Sequence, residues 1–189
     1  GHVQLEAHRE KERLRLTTPE MTLEIDLDPF CLRTFSPAGN GVFSQRRPDT
    51  PTGDILPCAF AEPHGERAAF EALYLAPDEE IYGLGERFDS LPRRGRPVDF
   101  WNKDAIGTTS PRSYVNVPFF LSTRGYGLFL NSSAPTDWQI ATADASCLGF
   151  SVLDDQMDYF VLQSPDPKQI LHDYCTLTGF AKMPPVWSF

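Results

Sequence analysis

Residues 126–162 read YGLFLNSSAPTDWQIATADASCLGFSVLDDQMDYFVL. Four apolar runs, 126–130, 138–141, 148–153 and 157–162, are separated by polar segments rich in Ser, Asp, Ala and Asn. Runs this short and this evenly spaced predict β-strands, the last three as a meander with turns at 143–146 and 154–156. The pattern continues upstream. Arg13, Leu14, Arg15 and Leu16 alternate, pairing with 3–8 around the charged turn 9–12. Met21, Leu23 and Ile25 share one face of the next strand, Asp28-Pro29-Phe30 breaks it, and 31–35 forms another. Residues 37–54 hold seven Pro, Gly and Asn residues around one short strand at Val42-Phe43. Residues 55–61 and 68–76 predict a hairpin, apolar enough for the middle of a sheet. One helix stands out: Ser164-Pro165-Asp166 starts it, Ile170, Leu171, Tyr174 and Leu177 recur at helical spacing, and Gly179 ends it. The fold class is therefore all-β, mainly antiparallel, a β-sandwich with one C-terminal helix.

The chain has 189 residues, 41% hydrophobic and 23% charged, ordinary values for a globular domain with its own core. A net charge of −9 argues against nucleic acid, whose phosphates need arginine and lysine stripes. The basic clusters, Arg46-Arg47 and Arg93-Arg94 with Arg96, are short. No apolar run is long enough to cross a membrane, and no secretory leader is legible at the N-terminus. Cys31, Cys58, Cys147 and Cys175 stand far apart, with no histidine at ligand spacing, so neither zinc nor any other cofactor is implied. Free thiols in a cytoplasmic protein are the expectation.

Candidate chemistry concentrates in Asp99-Phe100-Trp101-Asn102-Lys103-Asp104 and the Gly, Ser and Thr residues up to Ser110. Residues 113–122, apolar and β-branched, predict a strand behind this polar loop, an arrangement that commonly presents binding groups. Trp101 offers a ring face, Asn102 an amide and Asp104 a carboxylate, a set suited to a polyhydroxylated ligand. Glu79, Glu80 and Glu86 are the candidates for a carboxyl with a raised pKa. Gly83 and Gly85 lack the third glycine and the helix of a dinucleotide fingerprint, and predict a tight bend instead. Nucleophile elbows, phosphate loops and zinc-protease motifs are absent, and no residue of this chain is assigned a catalytic role.

The sequence resembles one known family. The segments 80–88 (EIYGLGERF), 101–104 (WNKD), 114–120 (YVNVPFF), 124–127 (RGYG), 158–160 (DYF), 165–168 (PDPK) and 184–189 (PPVWSF) resemble, in order and spacing, glycoside hydrolase family 31, the α-glucosidases and α-xylosidases. The likeness is concentrated in residues 79–189. It implies a galactose-mutarotase-like β-sandwich over 1–178, and a linker, 179–189, into the first strand of a catalytic (β/α)-barrel beyond this chain. The resemblance implies retaining hydrolysis of α-linked glucosides or xylosides by two aspartates on that barrel. It gives this domain one loop over the barrel mouth, with Asp104 accepting from sugar hydroxyls and Trp101 and Asn102 shaping the loop. That loop is expected to be mobile when no barrel holds it. A stand-alone carbohydrate-binding sandwich is the alternative. A mutarotase-like epimerase would need an acid and a base facing one pocket, and His2, His8, His64 and His172 stand in no such context.

Overall fold

The structure is a computed structural model that describes residues 3–47, 58–104 and 113–188. Three antiparallel sheets account for its strands. The first is a meander of β1 (Glu6–Glu10), β2 (Arg13–Thr17), β3 (Thr22–Leu27), β4 (Phe30–Phe35) and β5 (Gly41–Ser44). The second, in spatial order, holds β6 (Ala59–Ala61), β7 (Ala68–Tyr74), β13 (Cys147–Val152), β12 (Thr136–Ile140) and β9 (Arg96–Phe100). The third is β14 (Tyr159–Gln163), β11 (Tyr126–Leu130), β10 (Phe119–Ser122) and β8 (Ile81–Gly83).

The core lies between the second and third sheets. Leu73, Val98, Trp138, Ile140, Leu148 and Phe150 come from one face, Ile81, Phe120, Tyr126 and Leu128 from the other. Trp138 pairs directly across from Phe150 and Val98. Its ring stacks on Phe150 at 4.5 Å between centroids and meets the edge of Phe120 at 6.0 Å. Such opposed aromatic pairs stabilise a sheet beyond the area they bury. The helix α1 (Pro167–Thr178) is capped by the Asp166 carboxylate, which accepts from the Lys168 N–H, and ends at Gly179 with φ 101°. It lies against the third sheet, where Tyr174 stacks on Phe119 at 4.2 Å and Ile170 is buried. A side chain at Gly127 would strike Ile170, so glycine lets the helix settle on β11.

Four sequence expectations need correction. Residues 113–122 are not one strand: β10 begins at Phe119, after Pro118, which has no N–H to give a ladder. The third limb of the meander, β14, leaves β13 and pairs with β11 in the opposite sheet. β6 is an edge strand with Phe60 exposed, not a central one. On β3 the better buried residues are Glu24 and Asp26 rather than Met21, Leu23 and Ile25. Their carboxylates lie under arginines from the neighbouring strands: Arg13 Nε donates to Asp26 at 2.7 Å, Arg33 to Asp26 at 2.8 Å, and Arg15 to Glu24. Paired charges tolerate burial that lone ones do not. Two strands are missing from the sequence reading: β8, which lies where only a tight bend is expected, and β9. Pro97 sits within β9, which an edge strand permits.

A buried polar knot ties the three sheets. The Gln45 amide donates to Glu71 on β7 and, at 3.0 Å, to Tyr159 on β14, while its oxygen accepts from the Leu32 N–H on β4 at 2.7 Å. Burial raises the Glu71 carboxyl above the usual range, and hydrogen bonds from Ala72, Gln45 and Tyr159 only partly offset this. A carboxyl raised on folding contributes stability that is full below its unfolded pKa and is lost as pH rises through the folded value. The melting temperature of Glu71→Gln, which cannot ionise, is therefore expected to gain on wild type as pH rises from about 4 to 8. A pH-independent difference would show that Glu71 does not titrate in this way.

Candidate functional site

The site begins where β9 runs out. Phe100 is buried under the sandwich, and the next residue, Trp101, emerges half-exposed. Asn102 then forms a parallel bridge with Ser113, and the Lys103 N–H donates to the Ser113 carbonyl at 3.3 Å. Lys103 also reaches back to Asp99 at 3.3 Å. The Tyr114 hydroxyl donates to the Asp104 carboxylate. Residues 105–112, most of the predicted mobile loop, lie outside the described residues.

A cleft of about 440 Å³ opens beside Trp101 and Asn102, bounded also by Asn116, Pro118 and the turn at 132–136. Of the three residues singled out in the sequence, Trp101 and Asn102 share this wall. Asp104 is not part of the lining and lies two residues further along, in the grip of Tyr114. The combination of an exposed indole face, an amide and a carboxylate suits binding through stacking and hydroxyl hydrogen bonds. Among the described residues, the cleft lining holds no carboxyl and no histidine, so it brings no acid and base together.

The bend at 83–87 holds this loop from behind. Gly83, Leu84 and Gly85 all have positive φ. The Glu86 N–H donates to the Val115 carbonyl at 3.0 Å, and the Ser113 hydroxyl donates to the Glu86 carbonyl at 2.6 Å. Arg87 lays its guanidinium over the Phe100 ring, 5.3 Å from the centroid, and donates to the Leu84 carbonyl and to the Asn116 amide oxygen. Burial, reinforced by the charge of Arg93, lowers the Arg87 pKa from its ordinary value. Arginine nonetheless stays protonated in proteins. The Asn116 Nδ2 in turn donates to Asn102 Oδ1 at 2.5 Å. Sequence reasoning gives Arg87, Tyr114 and Asn116 no part in holding the loop. Their partners stand up to 29 residues away, a separation that no periodicity marks.

Of the three candidate acids, Glu79 and Glu86 play structural parts, and Glu80 is half-buried with its backbone paired to Thr123. Glu79 is buried, with one oxygen accepting from the Ala76 N–H at 3.0 Å and the other from the Ser122 hydroxyl. Glu86 is exposed and contributes its backbone to the loop. The cysteines are dispersed: Cys31 and Cys147 are buried, Cys175 is half-buried and Cys58 is exposed. No helix among the described residues is long and apolar enough to cross a membrane.

Antiparallel sheets packed face to face around one apolar core, with the helix α1 laid on the outside, define the class as a β-sandwich. Residues 1–138 match the family model described as the glycosyl hydrolase 31 N-terminal galactose mutarotase-like domain. The chain belongs to that family. An α-xylosidase of Emericella nidulans is 30% identical over 204 aligned positions, covering 100% of this chain and 26% of the relative. The α-xylosidase XylQ of Lactiplantibacillus pentosus is 43% identical over 119 residues, 63% of this chain and 16% of its own. Among solved structures, a Flavobacterium johnsoniae GH31 dextranase complexed with isomaltotriose superposes with a TM-score of 0.82 at 27% identity, over 97% of this chain and 21% of that one. The chain thus spans only about a sixth to a quarter of these relatives.

Proposed function

We propose that this domain is the N-terminal sandwich of a retaining α-glycosidase acting on α-linked glucosides or xylosides. In this reading residues 1–178 form the sandwich and 179–189 lead into a catalytic barrel of the same polypeptide. The two catalytic aspartates lie on that barrel, and this domain binds and positions substrate without cleaving it. Asp104 accepts from sugar hydroxyls, Trp101 offers a stacking face, and Asn102 shapes the loop. No metal or cofactor is required, and the cytoplasm, where unpaired thiols persist, is the setting.

The observation that carries this reading is the gathering of Trp101 and Asn102 at one cleft, with Asp104 held beside them, in a chain of this family. The segment after α1 supports it. Met183, Val186 and Trp187 are each at least 85% exposed, and apolar side chains presented together call for a covering partner. The test is hydrolysis of aryl α-glucoside and aryl α-xyloside. The full-length polypeptide is expected to turn over at least one, and the 189 residues alone neither. Turnover by the 189 residues would contradict the reading. Calorimetry with xylose, glucose and isoprimeverose separates the alternative, a stand-alone binding module. One loop with one carboxylate is expected to give no measurable heat, and clear binding would favour the module.

A further inference from the structure

The three-link chain from Arg87 through Asn116 to Asn102 has a fixed polarity. A guanidinium has five N–H donors and no acceptor. Asn116 must therefore turn its oxygen toward Arg87, as it does, which leaves its NH2 facing Asn102. Asn102 can meet a donor only with its own oxygen. Its Nδ2 makes no hydrogen bond among the described residues, on a side chain that lines the cleft. The half-buried arginine, clamped over Phe100, thus decides which end of an exposed amide is spent inside the protein and which is left for a ligand.

We propose that Arg87 and Asn116 are positioning residues which lock Asn102 as a hydrogen-bond donor to a sugar oxygen, making Asn102 a specificity-determining contact of the loop. This rests on the reading of the loop as a substrate-binding element. The chemistry is complementary to that of Asp104. A hydroxyl that gives its single proton to a carboxylate has only lone pairs left, and an amide NH2 is the group that uses them. An unlocked asparagine would present either end. The locked one discriminates against a ligand that offers a second donor at that point.

The polarity makes the test directional. In the full-length enzyme, Asn102→Asp keeps the acceptor that Asn116 needs but replaces the outward donor with a second acceptor. It is expected to raise KM roughly tenfold, with kcat within about twofold of wild type and an unchanged melting temperature. Asn116→Asp still accepts from Arg87 but cannot donate to Asn102, and Arg87→Met frees the orientation of Asn116. Each is expected to raise KM roughly threefold or more. Added to Asn102→Asp, Arg87→Met is expected to change KM no further, because the donor it positions is already gone. A wild-type KM for Asn102→Asp, or multiplicative effects in the double variant, would overturn the proposal.

Trp101→Ala in the same assay separates the two levels. If it raises KM while Asn102→Asp does not, the lock alone is wrong. If neither moves KM, the loop does not meet substrate, and the functional reading fails with it. Asn102 is exposed, so its variant is expected to fold. Arg87→Met is scored only alongside its thermal melt, and Asn116→Asp, which keeps the arginine contact, reports on the lock if that variant unfolds.

Discussion

Gly85→Ala is expected to destabilise this domain by about 3 kcal/mol or more and to dislodge the Trp101 loop with it. A Cβ on Gly85 would lie 2.1 Å from the Val115 carbonyl oxygen, 2.9 Å from the Val117 nitrogen and 3.0 Å from the Asn116 Cα. All three are backbone atoms, so no side chain can rotate away. The residue also sits at φ +85°, where an L side chain adds about 1–2 kcal/mol of its own. Relief requires moving 115–117 outward, which breaks the Glu86 to Val115 hydrogen bond and the Arg87 to Asn116 contact together. Gly39 provides the internal standard. It has nearly the same φ, +81°, but a Cβ there would meet nothing within 4 Å. Gly39→Ala is expected to cost only the backbone term, about 1–2 kcal/mol. Urea unfolding of the two variants should differ by roughly 2 kcal/mol or more in favour of Gly39→Ala. Equal losses would mean that the close approach of bend and loop is not there.

Where the sequence is legible, physics acts locally. β12 shows Trp138 and Ile140 inward against Asp137 and Gln139 because one of its faces is wet, which is the condition for period-two alternation. The helix carries its own signals, an Asp cap and a terminal glycine, and both of its ends can be read from them. The partner of β14 is not legible. Turn residues at 154–156 say that the chain bends, not which sheet receives it, and the switch from β13 to β11 is settled by core packing. Glu24 and Asp26 invert the expected burial because arginines on both neighbouring strands solvate them, a cross-strand fact with no signature within β3. The same limit applies at the site. Trp101, Asn102 and Asp104 stand out by composition, whereas the arginine and the amide that orient them act across intervals with no periodic mark.

Asp104→Asn is the second large effect, and it falls on activity rather than on stability. Asparagine keeps an oxygen that can accept from Tyr114, so the loop retains its anchor. What is lost is the charge. Hydrogen bonds to an ionised acceptor contribute about 1.5–3 kcal/mol, against about 1 for neutral ones. Side-chain exposure at Asp104 means that the fold should not register the change. The direct measurement is kcat/KM of the full-length enzyme on its preferred aryl α-glycoside, wild type against Asp104→Asn, with thermal melts in parallel. The account predicts a fall of roughly three- to thirtyfold at an unaltered melting temperature. A kcat/KM within about twofold of wild type would contradict the claim that this domain contributes to the substrate site.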